Sequence, residues 1–193
     1  MPHRLFPTRH ASLLSSPIRR LLTPLQRRLD LFDIESGMQV LDVGTGTGFL
    51  LPALSKRVGP NGHVHALDVQ PAMLERARKV KLPFDNVSFH LTDASYTSLD
   101  DGSLDRVIIH HAFHEISDRC GAIHEFRRIL KTGGIVILWE PRVVVGAWRV
   151  RGYEGMFWGA GFELDRRITD PLGRGCLFRA VDGPLGSRLH SKT

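Results

Sequence analysis

The sequence predicts an α/β fold, in which a mostly parallel β-sheet is covered by helices on both faces. Short apolar segments of strand length alternate along the chain with segments whose apolar residues recur at helical spacing. Val40–Leu50, with the sequence VLDVGTGTGFL, joins the end of a buried strand to a helix through a glycine-rich turn. Ile135–Trp139 is entirely apolar, as expected of a central strand covered on both faces. With 193 residues, the chain is long enough to fold as one domain with a substantial core.

The formal net charge of +6 comes from the beginning of the chain. Residues 1–29 contain six arginines and no acid, so 20 of the 26 basic residues remain to balance the 20 acidic residues elsewhere. We expect a solvated basic face, although this segment could also meet RNA, an anionic membrane or an acidic substrate; nucleic acid is not the favoured partner. No apolar run approaches the length of a membrane span, and Cys120 and Cys176 make neither a zinc motif nor a disulfide framework. These features favour a cytoplasmic protein without a transmembrane segment.

Composition also predicts how the chain is divided. Residues 1–15 show little apolar periodicity and predict a loose arm. The alternative, an organellar targeting peptide, is opposed by the prolines at positions 2 and 7. We expect a single domain over residues 16–181, followed by a flexible tail over residues 182–193.

An amphipathic helix is predicted at the start of the domain, within residues 16–34. Ser16 and Pro17 are typical of a helix N-terminus, and Pro24 is expected to kink or split the helix. The apolar stripe of this helix consists of Ile18, Leu21, Leu22, Leu25, Leu29 and Phe32.

The glycine turn after the first strand bears on the kind of ligand. Gly44, Gly46 and Gly48 allow backbone angles that a Cβ atom forbids, and the N–H groups of the following helix can face an anionic group. A dinucleotide fingerprint, G-x-G-x-x-G, would need glycine where the chain has Phe49. An acid, Asp42, stands two residues before the first glycine. A nicotinamide-dependent oxidoreductase therefore remains only as an alternative.

The elements after the turn follow one another at short intervals. Asp68 ends the second strand twenty residues after Gly48, where an acid that holds ribose hydroxyls is expected in this architecture. Four glycines within residues 143–160 weaken the prediction of a helix there. The predicted elements are, in order, a helix at Phe49–Val58, a strand at His63–Leu67, a helix at Pro71–Lys81, strands at Val87–Leu91 and Leu104–Ile109, a helix at Asp118–Leu130, the strand Ile135–Trp139, and a final hairpin formed by the region of Ile168 and by Cys176–Val181.

Taken together, the motifs resemble those of class I S-adenosylmethionine-dependent methyltransferases. In that family an acid and alternating glycines, as in Asp42–Gly48, wrap the methionine part of the cofactor, and a strand-terminal Asp with a small residue, as in Asp93-Ala94, meets the adenine. The run from His114 to Asp118 (HEISD) also matches the family pattern. The resemblance covers nearly the whole chain. In its core the chain is similar to small stand-alone enzymes of this family, such as those of quinone biosynthesis. It implies a Rossmann-like three-layer sandwich whose seven-stranded sheet is mostly parallel, with one antiparallel strand.

The resemblance also implies a cofactor and a site. The cofactor would be S-adenosyl-L-methionine, and the partner a small-molecule methyl acceptor. The acceptor itself and the oligomeric state do not follow from the sequence. The cofactor-binding residues would be Asp42, Gly44, Thr45, Gly46, Gly48, Asp68, Val69, Asp93, Ala94 and His110.

Three histidines, His110, His111 and His114, are the candidates for a general base, which is needed only when the acceptor must lose a proton. A purely structural histidine cluster is an equal alternative for His114 with Glu115. A metal site on His110, His114 and Glu115 also stays open, as does a non-catalytic S-adenosylmethionine-binding or RNA-contacting module.

In similar methyltransferases an N-terminal helix lies across the open edge of the pocket. We therefore expect the helix within residues 16–34 to act as a lid over cofactor and acceptor. Arg19, Arg20, Arg27 or Arg28 would then lie near the mouth of the pocket.

Overall fold

In the computed structural model, the chain is described over residues 25–142, 146–171 and 173–182, without the side chains of residues 147–150. The described elements are α1 (Leu25–Leu31), β1 (Gln39–Val43), α2 (Leu51–Val58), β2 (His63–Asp68), α3 (Pro71–Ala77), β3 (Val87–Leu91), β4 (Leu104–His110), α4 (Arg119–Ile129), β5 (Leu130–Pro141), α5 (Ala147–Gly159), β6 (Phe162–Thr169) and β7 (Gly173–Ala180). A short 3₁₀ turn, Phe113–Glu115, follows β4. Within these ranges, none of the helices combines the length and the apolar character that crossing a bilayer requires.

The described strands form one seven-stranded sheet in the order β3-β2-β1-β4-β5-β7-β6. The pairs from β3 to β5 are parallel, whereas β7 runs antiparallel to both β5 and β6. The predicted sheet with one antiparallel strand is therefore confirmed. The strand order reverses between β1 and β4, and ligands of open α/β sheets bind beyond the carboxyl ends of the strands at such a point.

Two apolar cores hold helices against the faces of the sheet. On one face, α1, α2 and α3 pack on residues such as Ile137 and Trp139, and the ring centroid of Phe32 lies 5.9 Å from that of Trp139. On the other face, α4 and α5 cover the sheet, and the ring of Phe157 stacks on Phe178 with centroids 4.1 Å apart. Burying one large apolar side chain fully stabilises the folded state by roughly 1.5–3 kcal/mol relative to leaving it exposed. The result is the expected three-layer sandwich.

Several observed boundaries differ from the predicted ones. Helix α2 begins at Leu51 and not at Phe49, because the glycine turn continues to Leu50. Helix α5 forms over Ala147–Gly159 although it contains glycines. These glycines are not required by close packing, because a Cβ atom placed on Gly152, Gly155 or Gly159 would meet nothing within 4 Å. The described buried side chains of α5, Tyr153 and Phe157, supply tertiary packing, which decides helix formation more than intrinsic propensity does.

The connection from β3 to β4, residues 92–103, contains no α-helix. A carboxylate of α4 holds it in place, since Glu125 Oε1 accepts hydrogen bonds from the backbone N–H and the hydroxyl of Thr97, both at 2.7 Å. Arg128 donates to the same carboxylate and is the main reason that the pKa of Glu125 falls to about 2. This anchor fixes the chain that carries Asp93 and Ala94 past the carboxyl edge of the sheet.

Candidate functional site

A cavity of about 680 Å³ lies beyond the carboxyl ends of β1, β2 and β4. Its volume is within the range of small-ligand and cofactor sites. All three candidate histidines line it, and so do all the sequence-predicted cofactor residues except Gly48. The predicted residues that line it are Asp42, Gly44, Thr45, Gly46, Asp68, Val69, Asp93, Ala94, His110, His111 and His114. The topology thus brings together groups that are up to 72 residues apart in the chain, as Asp42 and His114 are.

The three glycines of the turn have positive φ angles, but each meets different surroundings. A Cβ atom on Gly44 would lie 2.6 Å from the Cβ atom of Ala112, so this glycine permits contact with the segment after β4. A Cβ atom on Gly48 would lie 3.2 Å from the Cα atom of Ala77, so Gly48 permits close packing on α3. At Gly46 the nearest atom would be the carbonyl oxygen of Gly44 at 4.0 Å. Gly46 therefore faces the open cavity, and a side chain there would fill ligand space.

Two acids at the ends of β1 and β2 hold the turn. Asp68 Oδ2 accepts a hydrogen bond from the N–H of Gly46 at 2.8 Å, and Oδ1 accepts one from the N–H of Gln70 at 2.9 Å. Asp42 Oδ2 accepts a hydrogen bond from the hydroxyl of Thr45 at 2.7 Å. Burial raises the pKa of Asp68, and it raises the pKa of Asp42 to about 7 with a smaller contribution from the charge of Asp68. A cationic ligand would favour the ionised form of both carboxyl groups over the protonated form, so the cavity is suited to a positively charged ligand.

Asp93 and Ala94 form the wall beside β3. Ala94 is buried, whereas Asp93 is exposed and its Oδ1 accepts hydrogen bonds from the N–H and the hydroxyl of Ser95 at 2.9 and 2.7 Å. These bonds orient the carboxylate at the rim of the cavity. Val69, with 40% of its surface exposed, lies on the neighbouring strand end.

His114 is the histidine with a carboxylate partner. Its Nδ1 lies 2.9 Å from Oε2 of Glu140, and its backbone N–H donates to Oε1 at 3.1 Å. Glu140 is fully buried, and its hydrogen bond is the main reason that the pKa of His114 is raised above its ordinary value. Glu140 was not among the site residues predicted from the sequence. The feature that could have revealed it is an acid close to the carboxyl end of a buried strand, as at Asp42 and Asp68.

The other two histidines are held differently. His110 Nε2 lies 3.2 Å from Nη1 of Arg28; because a guanidinium only donates, Nε2 accepts and the ring proton is on Nδ1. His111 has a φ angle of 63° and donates its backbone N–H to Trp139 at 2.7 Å. The two imidazole rings stack with centroids 4.0 Å apart. In the described part of the chain, no group of His, Cys, Asp and Glu side chains is arranged to hold a metal ion.

Arg28 lies in the interior and not at the mouth of the pocket. Only 2% of its surface is exposed, its Nε donates to Asp170 at 2.8 Å, and its guanidinium carbon lies 4.9 Å from the ring centroid of Trp139. Of the four candidate arginines, Arg28 is therefore not one that places a charge at the mouth. Arg27 is exposed, and Arg19 and Arg20 lie outside the described residues.

The cavity lies at the switch point of the sheet, where the strand order reverses between β1 and β4. This position, the strand order and the antiparallel β7 define a class of α/β proteins that bind a nucleotide-like cofactor across their glycine turn. Over residues 34–151, more than half of the chain, the sequence matches the methyltransferase-domain family, and the chain belongs to that family. The cofactor of this family and of its structural relatives is S-adenosyl-L-methionine.

Comparisons with known proteins agree with this assignment. The fold is similar to the crystal structure of a SAM-dependent methyltransferase from Aquifex aeolicus, with a TM-score of 0.83 and 29% identity over 92% of this chain and 100% of that chain. The sequence is 36% identical to the demethylmenaquinone methyltransferase of Staphylococcus aureus over 107 residues, 55% of this chain and 44% of that protein. It is 34% identical to an uncharacterized 37.1 kDa protein in transposon Tn4556 of Streptomyces fradiae over 113 residues, 58% of this chain and 33% of that protein. The chain thus spans less than half of the length of these two curated relatives.

Proposed function

We propose that this protein transfers a methyl group from S-adenosyl-L-methionine to a small-molecule acceptor. One observation carries the proposal: the cavity at the switch point leaves open space over the main chain at Gly46, between the buried carboxyl groups of Asp42 and Asp68. A cofactor with a positively charged amino group and sulfur, and with two ribose hydroxyls, meets complementary groups there. The residues present therefore fit the cofactor that the family uses.

The proposed contacts follow the order of the strand ends. Asp42 and the turn at Gly44–Gly46 would meet the methionine part, and Asp68 would accept hydrogen bonds from the ribose hydroxyls. The backbone N–H groups of Gly46, Gln70 and Val69 already donate to the Asp68 carboxylate, which has about four acceptor positions in all, so a position remains for a ribose hydroxyl. Asp93 and Ala94 would meet the adenine. These assignments are supported by the positions of the residues on the cavity wall.

S-adenosylmethionine, when bound, supplies an activated methyl group, so the protein mainly aligns the acceptor and excludes water. Where the acceptor must lose a proton, we assign the role of general base to His114. Glu140 accepts the hydrogen bond from Nδ1, which leaves Nε2 to take the proton. The buried carboxylate also stabilises the imidazolium that forms.

A small acceptor is favoured over a macromolecule by the shape of the site. The cavity is concave and lined by apolar as well as polar groups, as small-molecule sites are. The relative from Staphylococcus aureus is named for a small-molecule substrate, demethylmenaquinone. An RNA-contacting role would depend on the basic residues 1–29, most of which lie outside the described residues.

Ligand binding tests the proposal directly. Thermal unfolding and calorimetry with S-adenosylmethionine, S-adenosylhomocysteine and NAD should show stabilisation by the first two only. A subsequent acceptor screen with a radiolabelled methyl donor should give a labelled small product. Stabilisation by NAD alone would instead favour an oxidoreductase, and cofactor binding without transfer to any small acceptor would favour the non-catalytic alternative.

A further inference from the structure

A second cavity, of about 480 Å³, lies between α5 and the hairpin of β6 and β7. Pro141 lines the first cavity and the next residue, Arg142, lines the second, so both cavities reach the end of β5. Four arginines border it: Arg142, Arg151, Arg167 and Arg174. None of the cofactor contacts proposed above involves a residue of this cavity.

The positive charge of the second cavity is not balanced by its own acid. Among the described lining residues the only acid is Glu154, and Arg167 holds it with two hydrogen bonds of 2.9 and 2.7 Å. Arg142 donates to the hydroxyl of Thr169 at 2.8 Å, which provides no counter-charge. Within the part of the chain that the structure describes, Arg142, Arg151 and Arg174 form no ion pair. Three guanidinium groups therefore face one cavity without a carboxylate partner.

The thiol in this cavity does not supply the missing charge either. Cys176 is buried and donates its Sγ–H to Oε1 of Glu154 at 3.5 Å. Burial raises the pKa of this thiol to about 12, with a further contribution from Glu154. The thiol is therefore neutral at physiological pH, and the cavity keeps its net positive charge.

Arg174 connects the second cavity to the proposed catalytic pair. In the antiparallel pairing of β5 with β7, Arg174 stands directly opposite Glu140, the partner of His114. The Nε atom of Arg174 is buried and has no hydrogen-bond partner. A buried donor without an acceptor is unfavourable, so the protein itself leaves part of the hydrogen-bonding capacity of the Arg174 guanidinium unused.

We propose that the second cavity binds an oxyanion, a carboxylate or phosphate group, of the methyl acceptor, through Arg142, Arg151 and Arg174. The inference rests on the proposed function, because it places the reacting atom of the acceptor at His114 and its acidic group across the end of β5. Guanidinium groups bind such oxyanions with paired hydrogen bonds. The acceptor class is then a small molecule that carries an acidic group away from the methylated atom.

Inorganic phosphate is a suitable first probe of this cavity. Titration of the full chain with phosphate, followed by calorimetry and thermal unfolding, should show saturable binding. Arg142→Gln and Arg174→Gln should each weaken it by about tenfold or more, the usual effect of losing a hydrogen bond to a charged group. Arg76→Gln, which removes the same charge from an exposed position on α3, should leave it unchanged. Since Arg142 is exposed, its variant should fold even if the Arg174 variant does not.

The same proteins separate this inference from the proposed function. S-adenosylmethionine affinity should be the same in the wild type and in all three variants. Equal phosphate binding by the two cavity variants and the control would overturn the inference while leaving cofactor binding intact. Absence of S-adenosylmethionine binding in the wild type would refute the proposed function instead. Tight binding of a short single-stranded RNA that depends on Arg142 and Arg174, with no saturable phosphate binding, would also overturn the small-molecule assignment.

Discussion

At the scale of single residues, the three glycines after β1 show that one motif can combine unrelated physical requirements. All three need positive φ angles, yet only Gly46 faces open space, while Gly44 and Gly48 allow protein atoms to approach closely. The sequence pattern suggests three cofactor contacts. The surroundings instead show that Gly48 allows close packing of α3. Gly46 is therefore the position of the three at which an added side chain should interfere most with a ligand.

Gly46→Val should abolish S-adenosylmethionine binding, because the new side chain would occupy the cavity. Valine is also strained at the positive φ angle of Gly46, so the variant needs a control with the same strain. Gly102 provides this control, because its φ angle is 58°, against 57° for Gly46, and nothing lies within 4 Å of a Cβ atom added to Gly102. Gly102→Val should lose similar thermal stability but keep full cofactor affinity by calorimetry. Equal cofactor affinity in the two variants would count decisively against the proposed pocket.

The pair of His114 and Glu140 gives a second residue-scale prediction. Glu140 raises the pKa of His114, and a general base acts in its neutral form. For an acceptor that must lose a proton, kcat/KM should therefore rise with pH and reach half its maximum above pH 6.5, the ordinary pKa of histidine. Glu140→Gln should move this midpoint to lower pH. His114→Gln should lower kcat by about 10²–10⁴-fold while sparing cofactor affinity.

An acceptor that reacts without proton loss provides the control for this profile. Its transfer rate should not depend on His114. A midpoint that stays in place in the Glu140 variant would show that another group controls the reaction.

At the scale of elements, α1 is fixed to the body of the protein at its described end. Leu29 and Phe32 are fully buried, and Arg28 joins α1 to Asp170, directly after β6, and to His110 at the end of β4. A lid that moves as a whole would have to break this buried pair. We therefore expect the described part of α1, Leu25–Leu31, to stay on the body of the protein.

Replacing Arg28 tests this anchor. Arg28→Met should lower the free energy of unfolding by about 3–5 kcal/mol, because the carboxylate of Asp170 would lose its buried partner. Arg27→Met changes an exposed neighbour and should stay within about 0.5 kcal/mol of the wild type in urea denaturation. Combining Arg28→Met with Asp170→Asn should recover part of the loss. Equal stability of the Arg27 and Arg28 variants would mean that the ion pair does not anchor α1.

At the scale of the whole molecule, buried ionisable groups make stability depend on pH in opposite directions. The pKa of Asp42 is raised to about 7, so between its ordinary value of 3.8 and 7 the folded protein holds a proton that the unfolded chain has lost. This contribution to stability falls as pH rises. The pKa of His65 is lowered to about 4, mainly by burial, so between 4 and 6.5 its contribution rises with pH. The two effects oppose each other in the wild type.

Asp42→Asn should separate them. The variant keeps an oxygen to accept the hydrogen bond from Thr45 but cannot ionise. Its stability relative to the wild type, without cofactor, should therefore increase by up to about 1.4 kcal/mol per pH unit from about pH 4 to about pH 7. Urea denaturation at several pH values measures this difference, in which His65 cancels. A difference that does not change with pH would show that Asp42 is ionised throughout.

The sequence by itself determined the elements whose patterns are local. The buried strand β1 with its glycine turn, the apolar centre of β5 and the acids that end β1 and β2 could all be predicted, because strand alternation, turn chemistry and spacing depend on neighbouring residues. Nearly all predicted cofactor residues line the cavity for the same reason: they stand at strand ends, and the parallel topology brings strand ends together.

The tertiary structure alone decided which partners the polar side chains have. Glu140 pairs with His114, 26 residues away in the chain, and Arg28 pairs with Asp170, 142 residues away. No pattern of neighbouring residues predicts either pair. The same holds for α5, whose glycines oppose a helix until Tyr153 and Phe157 pack on the sheet. Local preferences are mostly fractions of a kcal/mol per residue, whereas burying a large apolar side chain contributes about 1.5–3 kcal/mol and removing one partner of a buried ion pair costs about 3–5 kcal/mol. Long-range contacts therefore override the local sequence where the two disagree.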